Sequence, residues 1–191
     1  MLNTFMIYVE NKPGVLTRVA EVFRRRAFNI DSLTVGRTEK PEVSRMTIVV
    51  EADRDQALRI EAHLYKLVNV LFVENITTKP AICRDLAMIK VAATHENRSD
   101  VLELVNVFRG RVIDLASESL TIEITGAEEK IDRLVEVLQP YGVLEMVRTG
   151  IVAMRRGAKT ASIGPGAASG DGAEPIIHGE NVPLSGVKPG P

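Results

Sequence analysis

Thr4-Phe5-Met6-Ile7-Tyr8-Val9-Glu10-Asn11-Lys12-Pro13-Gly14-Val15-Leu16 decides the fold. Its first seven residues form a nearly continuous apolar run, as in the central strand of a sheet. Asn11-Lys12-Pro13-Gly14 breaks that run. Val15, Leu16, Val19, Val22 and Phe23 then recur at helical spacing until about Phe28. A strand therefore feeds a helix through a short turn.

Working outward, residues 30–37 and 43–52 read as two strands rich in Val, Ile and Thr, joined by the turn Glu39-Lys40-Pro41-Glu42. Asp53 caps a second helix whose stripe is Ala57, Ile60, Leu64 and Leu67. Residues 70–77 supply a last strand, so the order is βαββαβ, the ferredoxin-like plan. The same order recurs further on. Residues 86–93 read as a strand, 99–108 as a helix, 111–116 and 120–125 as a strand pair, 127–138 as a helix and 143–148 as a closing strand. Lys79-Pro80 marks the boundary, because proline disfavours helix before it and cannot donate to a ladder. The expectation is an α+β chain of two tandem ferredoxin-like sandwiches, residues 1–79 and 80–156, each an antiparallel sheet with two helices on one face.

The remainder, 157–191, reads as a disordered tail. Residues 158–191 hold 7 of the 14 Gly and 5 of the 9 Pro and no aromatic residue, too little apolar surface to offset the entropy of ordering.

Composition narrows the function classes. The 191 residues carry 24 Lys plus Arg against 25 Asp plus Glu, a net charge of -1, where a dedicated nucleic-acid binder shows a basic excess. Aromatics are 4% with no Trp, so the cores are aliphatic. The single Cys excludes an internal disulfide framework and a CxxC metal site. No apolar run approaches the roughly 18 residues that span a bilayer. Met1 leads straight into a strand-like run, so no signal peptide is expected and a cytoplasmic location is.

Catalytic constellations are not legible. His63, His95 and His178 are isolated from any nucleophile motif. Cys83 stands beside Arg84, which could depress its pKa, yet a lone cysteine between domains is usually inert. The acidic pairs at residues 53–55 and 128–129 fall at helix starts, where the macrodipole favours them. Arg24-Arg25-Arg26 reads as a solvated helix face in preference to a docking patch. An RNA-recognition module shares the βαββαβ order but stacks bases on inner-strand aromatics, and Met46-Thr47-Ile48-Val49-Val50 has none. No catalytic residue, metal ligand or cofactor of this chain is assigned.

One loop stands out. In Asn11-Lys12-Pro13-Gly14-Val15-Leu16 a strand meets a helix N-terminus, with Pro13 suited to the first turn and Gly14 open to close approach. Free first-turn N–H groups and the positive dipole end favour an anion, and the Asn11 amide offers donors and an acceptor. A small ligand with carboxylate and ammonium fits; so does a plain tight connection without ligand.

Val9-Glu10-Asn11-Lys12-Pro13-Gly14-Val15-Leu16-Thr17-Arg18 resembles the opening of an ACT domain, the amino-acid-sensing regulatory module. Phe28-Asn29-Ile30-Asp31-Ser32-Leu33-Thr34-Val35, Ser44-Arg45-Met46-Thr47-Ile48, Lys66-Leu67-Val68-Asn69-Val70 and Phe108-Arg109-Gly110-Arg111-Val112-Ile113-Asp114 narrow the likeness to the regulatory small subunits of acetolactate synthase (acetohydroxyacid synthase). The resemblance runs over about residues 2–156. It implies an ACT domain followed by a ferredoxin-like domain, with no catalysis of its own. It implies a partner, the catalytic large subunit, whose activity is raised and made subject to feedback inhibition by valine in branched-chain amino acid biosynthesis. It places thiamine diphosphate, Mg²⁺ and FAD in that large subunit, which condenses pyruvate with pyruvate or 2-oxobutyrate. It further implies a homodimer with valine between two ACT domains, Asn11, Gly14, Val15 and Leu16 on one wall, Asn29 and Ile30 on the wall from the other protomer. The long tail departs from the short ending of the family. A stand-alone ACT-domain amino-acid sensor is the alternative; an independent enzyme on this scaffold lacks a catalytic constellation.

The strand 30–37 agrees with a dimer. In this strand order it is an edge, it has no Pro or Lys, and Leu33-Thr34-Val35 is uncharged, leaving it open to pairing with its symmetry mate.

Overall fold

The structure, a computed structural model, describes residues 1–157; the tail reading for 158–191 lies outside the described residues. The first unit contains β1 (Leu2–Glu10), α1 (Val15–Arg24), β2 (Ile30–Arg37), β3 (Val43–Glu51), α2 (Arg54–Leu64) and β4 (Val70–Asn75). Its sheet has the order β2-β3-β1-β4, all antiparallel, so β2 is an edge. Alternation along β1 sends Phe5, Ile7 and Val9 toward the helices and Met6 and Tyr8 to the other face. Val15, Val19 and Phe23 of α1 and Ala57, Ile60 and Leu64 of α2 close an aliphatic core over the first set. Asp53 caps α2 through a capping box: its side chain accepts from the Gln56 N–H at 2.8 Å, and the Gln56 side chain accepts from the Asp53 N–H at 2.8 Å.

The second unit repeats the plan with β5 (Ala81–Ala92), α3 (Arg98–Val107), β6 (Arg111–Leu115), β7 (Ser119–Gly126), α4 (Glu128–Leu138) and β8 (Val143–Arg148), in the order β6-β7-β5-β8. Ala87, Ile89 and Val91 of β5 meet Ile131, Leu134 and Leu138 of α4 in a second core. Asp85, buried at its edge, holds Arg148 at 2.6 Å, and Arg148 reaches Asp132 of α4 at 2.8 Å. Burial works against the Arg148 charge, but the hydrogen bonds to Asp85 and Asp132 outweigh it, and its pKa stands above the ordinary value.

Two features depart from the sequence reading. The first strand of the second unit begins at Ala81 instead of Leu86, and a further strand, β9 (Val152–Arg155), follows β8. The two features are one device. Arg148 of β8 faces Ala87 and Val152 of β9 faces Arg84, on the same edge of β5. Three residues, Thr149 to Ile151, therefore stand opposite two, Asp85 and Leu86, which is a one-residue bulge. Gly150 sits in it at φ +84°, where glycine is favoured. A Cβ there would lie 2.5 Å from Oγ of Ser32 on β2.

The ribbon of β5 and β9 covers the face of the first sheet that the helices leave open. Ala153, fully buried, packs with Met6 and Ile76, flanked by Tyr8, Phe72, Ala81, Cys83 and Ile151. Arg45 of β3 donates to the Ala153 carbonyl and lies 5.4 Å from the Tyr8 ring centroid, a cation–π contact. Arg155 pairs with buried Glu74 at 3.2 Å, and Lys79 joins them at 2.9 Å. Ser32 and Thr34 of β2 bond the N–H and C=O of Ile151, both at 3.0 Å. The sheet face on which an RNA-recognition module stacks bases is thus filled here by the chain itself.

Cys83 belongs to this small core, and burial pushes its thiol pKa up; the nearby Arg84 charge pulls the other way and is outweighed. The raised value agrees with the reading of Cys83 as inert, burial outweighing Arg84. Because the thiolate is the reactive form, alkylation of Cys83 by iodoacetamide at pH 7.5–8 is expected to run slower than in the unfolded chain at the same pH. A rate in the native protein equal to that of the unfolded chain would contradict this placement.

A second expectation tests the ribbon. Ala153→Leu adds bulk at a fully buried site and should cost about 1–3 kcal/mol, a fall of roughly 2–12 °C in the melting temperature of a chain this size. Met154→Leu, on the opposite and 60% exposed face of the same strand, should leave melting nearly unchanged.

Candidate functional site: the β1–α1 turn and the β2 edge

The turn after β1 is held from two sides. The Asn11 N–H donates to the Glu42 carbonyl at 2.7 Å, and Nδ2 of Asn11 donates to the Pro41 carbonyl at 2.9 Å, tying the turn to the β2–β3 hairpin. On the other side Asn69 acts as a brace. Its Nδ2 donates to Glu10 at 2.5 Å, its Oδ1 accepts from Arg18 of α1 at 2.7 Å, and its carbonyl accepts from the Glu10 N–H at 2.9 Å. The Asn69 hydrogen bond, helped by Lys12 at 3.1 Å, holds the Glu10 carboxyl below its usual pKa.

Gly14 is the N-cap of α1 at φ +79°, with no side-chain cap on the helix. A Cβ built on Gly14 meets nothing within 4 Å, so the space before the helix is open. α1 has no acidic residue in its first turn. Among the described residues the N–H groups of Leu16 and Thr17 bond no other backbone group, and they face that space with the positive end of the helix dipole.

The six residues named from the sequence take different positions. Asn11, Gly14 and Leu16 are exposed at the turn, Leu16 by 42%. Val15 is buried in the helix-side core, so its side chain is structural. Asn29 is exposed just before β2, its Nδ2 3.4 Å from Asp31. Ile30 packs its side chain against the same core as Val15. Within one chain the two groups are far apart. Glu10 pairs with Val43 at one end of β3, and Ile30 pairs with Val50 at the other. Seven residues of strand at about 3.4 Å each separate them by roughly 24 Å. Asn69, Arg18, Pro41 and Glu42 were not singled out from the sequence. The only signal for Asn69 was its place in the Lys66-to-Val70 stretch.

Residues 5–72 match the family described as the AHAS small subunit-like ACT domain, and residues 84–157 match the family described as the small subunit of acetolactate synthase. The acetolactate synthase small subunit of Mycobacterium leprae is 48% identical over 157 residues, covering 82% of this chain and 93% of that one. Its counterpart in Mycolicibacterium smegmatis is 45% identical over 157 residues, covering 82% and 92%.

The chain belongs to the acetolactate synthase small subunit family.

The crystal structure of the acetolactate synthase small subunit from Thermotoga maritima superposes with a TM-score of 0.77 at 40% identity, covering 83% of this chain and 99% of that one. The fold is therefore the tandem ferredoxin-like arrangement with an ACT domain first, and the matches stop short of the C-terminal tail. Membership makes the chain a regulatory small subunit with a catalytic large subunit as partner, in branched-chain amino acid biosynthesis. No helix among the described residues is long and apolar enough to cross a membrane.

Proposed function

We propose that the chain activates the large subunit of acetolactate synthase and makes it sensitive to valine, bound between two copies of the ACT domain. The observation that carries this reading is the open, uncapped N-terminus of α1 at Gly14, beside an Asn11 whose Nδ2 is spent on Pro41 and whose Oδ1 is left to accept. A valine carboxylate meets the N–H groups of Leu16 and Thr17, and its ammonium meets the Asn11 Oδ1.

The register of β2 supports a site shared by two chains. If β2 pairs antiparallel with its mate about Leu33–Thr34, Ile30 of the partner subunit lies beside Arg37. Arg37 pairs with Ser44, and Ser44 with Val9, next to the Asn11 turn. One twofold axis thus cancels the separation within a chain and brings Asn29 of the partner subunit to the valine. The pairing would also satisfy the edge of β2. Catalysis belongs to the large subunit with its thiamine diphosphate, Mg²⁺ and FAD. In the cell the complex acts in the cytoplasm.

Reconstitution tests the reading. The chain alone should form no acetolactate, and adding it to the cognate large subunit should raise the rate and render it inhibitable by valine. Equal rates with and without the chain would overturn the proposal, and activation without valine inhibition would overturn its effector half.

Two substitutions at one position separate geometry from charge. Gly14→Ala places a methyl group in open space at a positive φ, a strain of roughly 1–2 kcal/mol. It should lower stability while leaving valine inhibition within a few-fold of wild type. Gly14→Asp carries the same strain, eased by the tolerance of Asp for this conformation, and adds a carboxylate where the valine carboxylate would lie. It should abolish valine inhibition and keep the uninhibited rate. Asn11→Ala and Asn29→Ala should each weaken inhibition by a similar, smaller amount, since a hydrogen bond to a charged group contributes about 1.5–3 kcal/mol. Valine titration of the reconstituted complex reads all four.

A further inference from the structure

We propose that the cleft between α1 and α2 docks the catalytic large subunit, receiving a carboxylate side chain of that partner together with an apolar neighbour. This rests on the regulatory reading above and names the surface through which it acts. The cleft encloses about 210 Å³, below the roughly 300–1,000 Å³ of sites for drug-sized ligands, and suits one or two side chains. Val22, Phe28 and Ile60 form its apolar floor. Arg26, Arg59, His63 and Gln56 form its rim, and no carboxylate lines it.

The rim is a set of donors already arranged. Gln56 has its Oε1 committed to the capping box, so it offers its amide N–H groups to the cleft. His63 lies with Nδ1 2.5 Å from the Arg59 carbonyl and Nε2 against the Arg26 guanidinium. Nδ1 donates to the carbonyl and Nε2 accepts from Arg26, so the neutral ring satisfies both contacts and holds Arg26 in place. Arg24 and Arg25 are both tied to Glu21, at 3.0 and 3.2 Å, which sets them apart from Arg26. An acceptor-only group is what such a rim lacks, and a carboxylate bound by guanidinium is the strong form of that contact. The basic character extends along α1: residues 15–28 carry four Arg against one Glu in a chain whose net charge is -1.

Within the first unit the other broad surfaces are already taken. The far face of the first sheet is filled by the β5–β9 ribbon. The β2 edge is committed to the second copy under the function proposed above. The helix layer remains, and beside Arg59 it exposes Leu58 by 60%. Arginine is among the residue types enriched in interface hot spots, which sit in well-packed pockets.

The test is affinity of the cognate large subunit for the full-length chain, measured by biolayer interferometry, with activation measured in parallel. Arg59→Glu and Arg26→Glu are each expected to weaken binding at least tenfold and to raise by a like factor the concentration giving half-maximal activation. Arg59→Lys should recover part of the loss. Arg133→Glu, on α4 of the other unit, makes the same charge change and should bind as wild type. Circular dichroism and calorimetric titration with valine establish that each variant is folded with its effector site intact. Binding within twofold of wild type for both cleft variants overturns the proposal, as does an equal loss in Arg133→Glu. If the wild-type chain binds a small carboxylate such as 3-methyl-2-oxobutanoate in the cleft and the variants lose that while still binding the large subunit, the cleft is a small-molecule site and the docking proposal falls. A wild-type chain that binds the large subunit without changing its rate overturns the regulatory reading and leaves docking to be decided by the affinities.

Discussion

The arrangement depends on the bulge at residue 150, where glycine holds φ +84° and a Cβ would come within 2.5 Å of Ser32 Oγ, so that a larger residue would both strain the backbone and displace the hydroxyl that bonds Ile151. The bulge around Gly150 lets the strand that closes the second sheet run on along β5 as β9. There it brings Ala153 onto Met6 and Ile76, and Ile151 onto the hydroxyls of Ser32 and Thr34. A four-stranded sheet with helices on one side otherwise leaves its second face wet. Here the ribbon of β5 and β9 covers it, with apolar contacts in the middle and the ion pairs of Glu74 with Arg155 and Lys79 at the rim.

That closure shapes what regulation can use. β2 carries Asn29 and Ile30 at one end, and its middle is stitched to the bulge. A change at the edge of β2 therefore reaches residues of the second unit within one hydrogen bond. The β1–α1 turn is separately braced by Asn69 and by the β2–β3 hairpin, so the open space at Gly14 is bordered by a fixed turn. For the effector site proposed above, such bracing lowers the cost of ordering the turn on binding.

The β1–α1 turn was legible before the structure. Gly14 stood out because a residue without a Cβ lets the backbone approach a ligand closely, and the structure adds that it holds φ +79° as the N-cap of α1. Val15 and Ile30 were named with it, and the structure gives their side chains to the core, since each also falls on the inward period of its own element. Asn69 was missed because its two side-chain partners, Glu10 and Arg18, lie more than fifty positions away, and no local pattern marks such a brace. The basic cleft was missed for a similar reason. Arg24-Arg25-Arg26 reads as one run, and only the packing of α1 on α2 separates Arg26, which meets His63, from the two that meet Glu21.

The sequence by itself determined the order of elements, the two sandwiches, their aliphatic cores and the strand-to-helix turn at Gly14. All of these follow from periodicity and turn chemistry within a dozen residues. Tertiary structure alone decided β9, the burial of Cys83 and the covered face of the first sheet. Val152–Arg155 is too short to show a period, and its partner Ala81–Arg84 reads as a linker after Pro80. Each segment becomes a strand only because the other lies against it, and the pair is held there by the open apolar face that Met6, Tyr8 and Phe72 present.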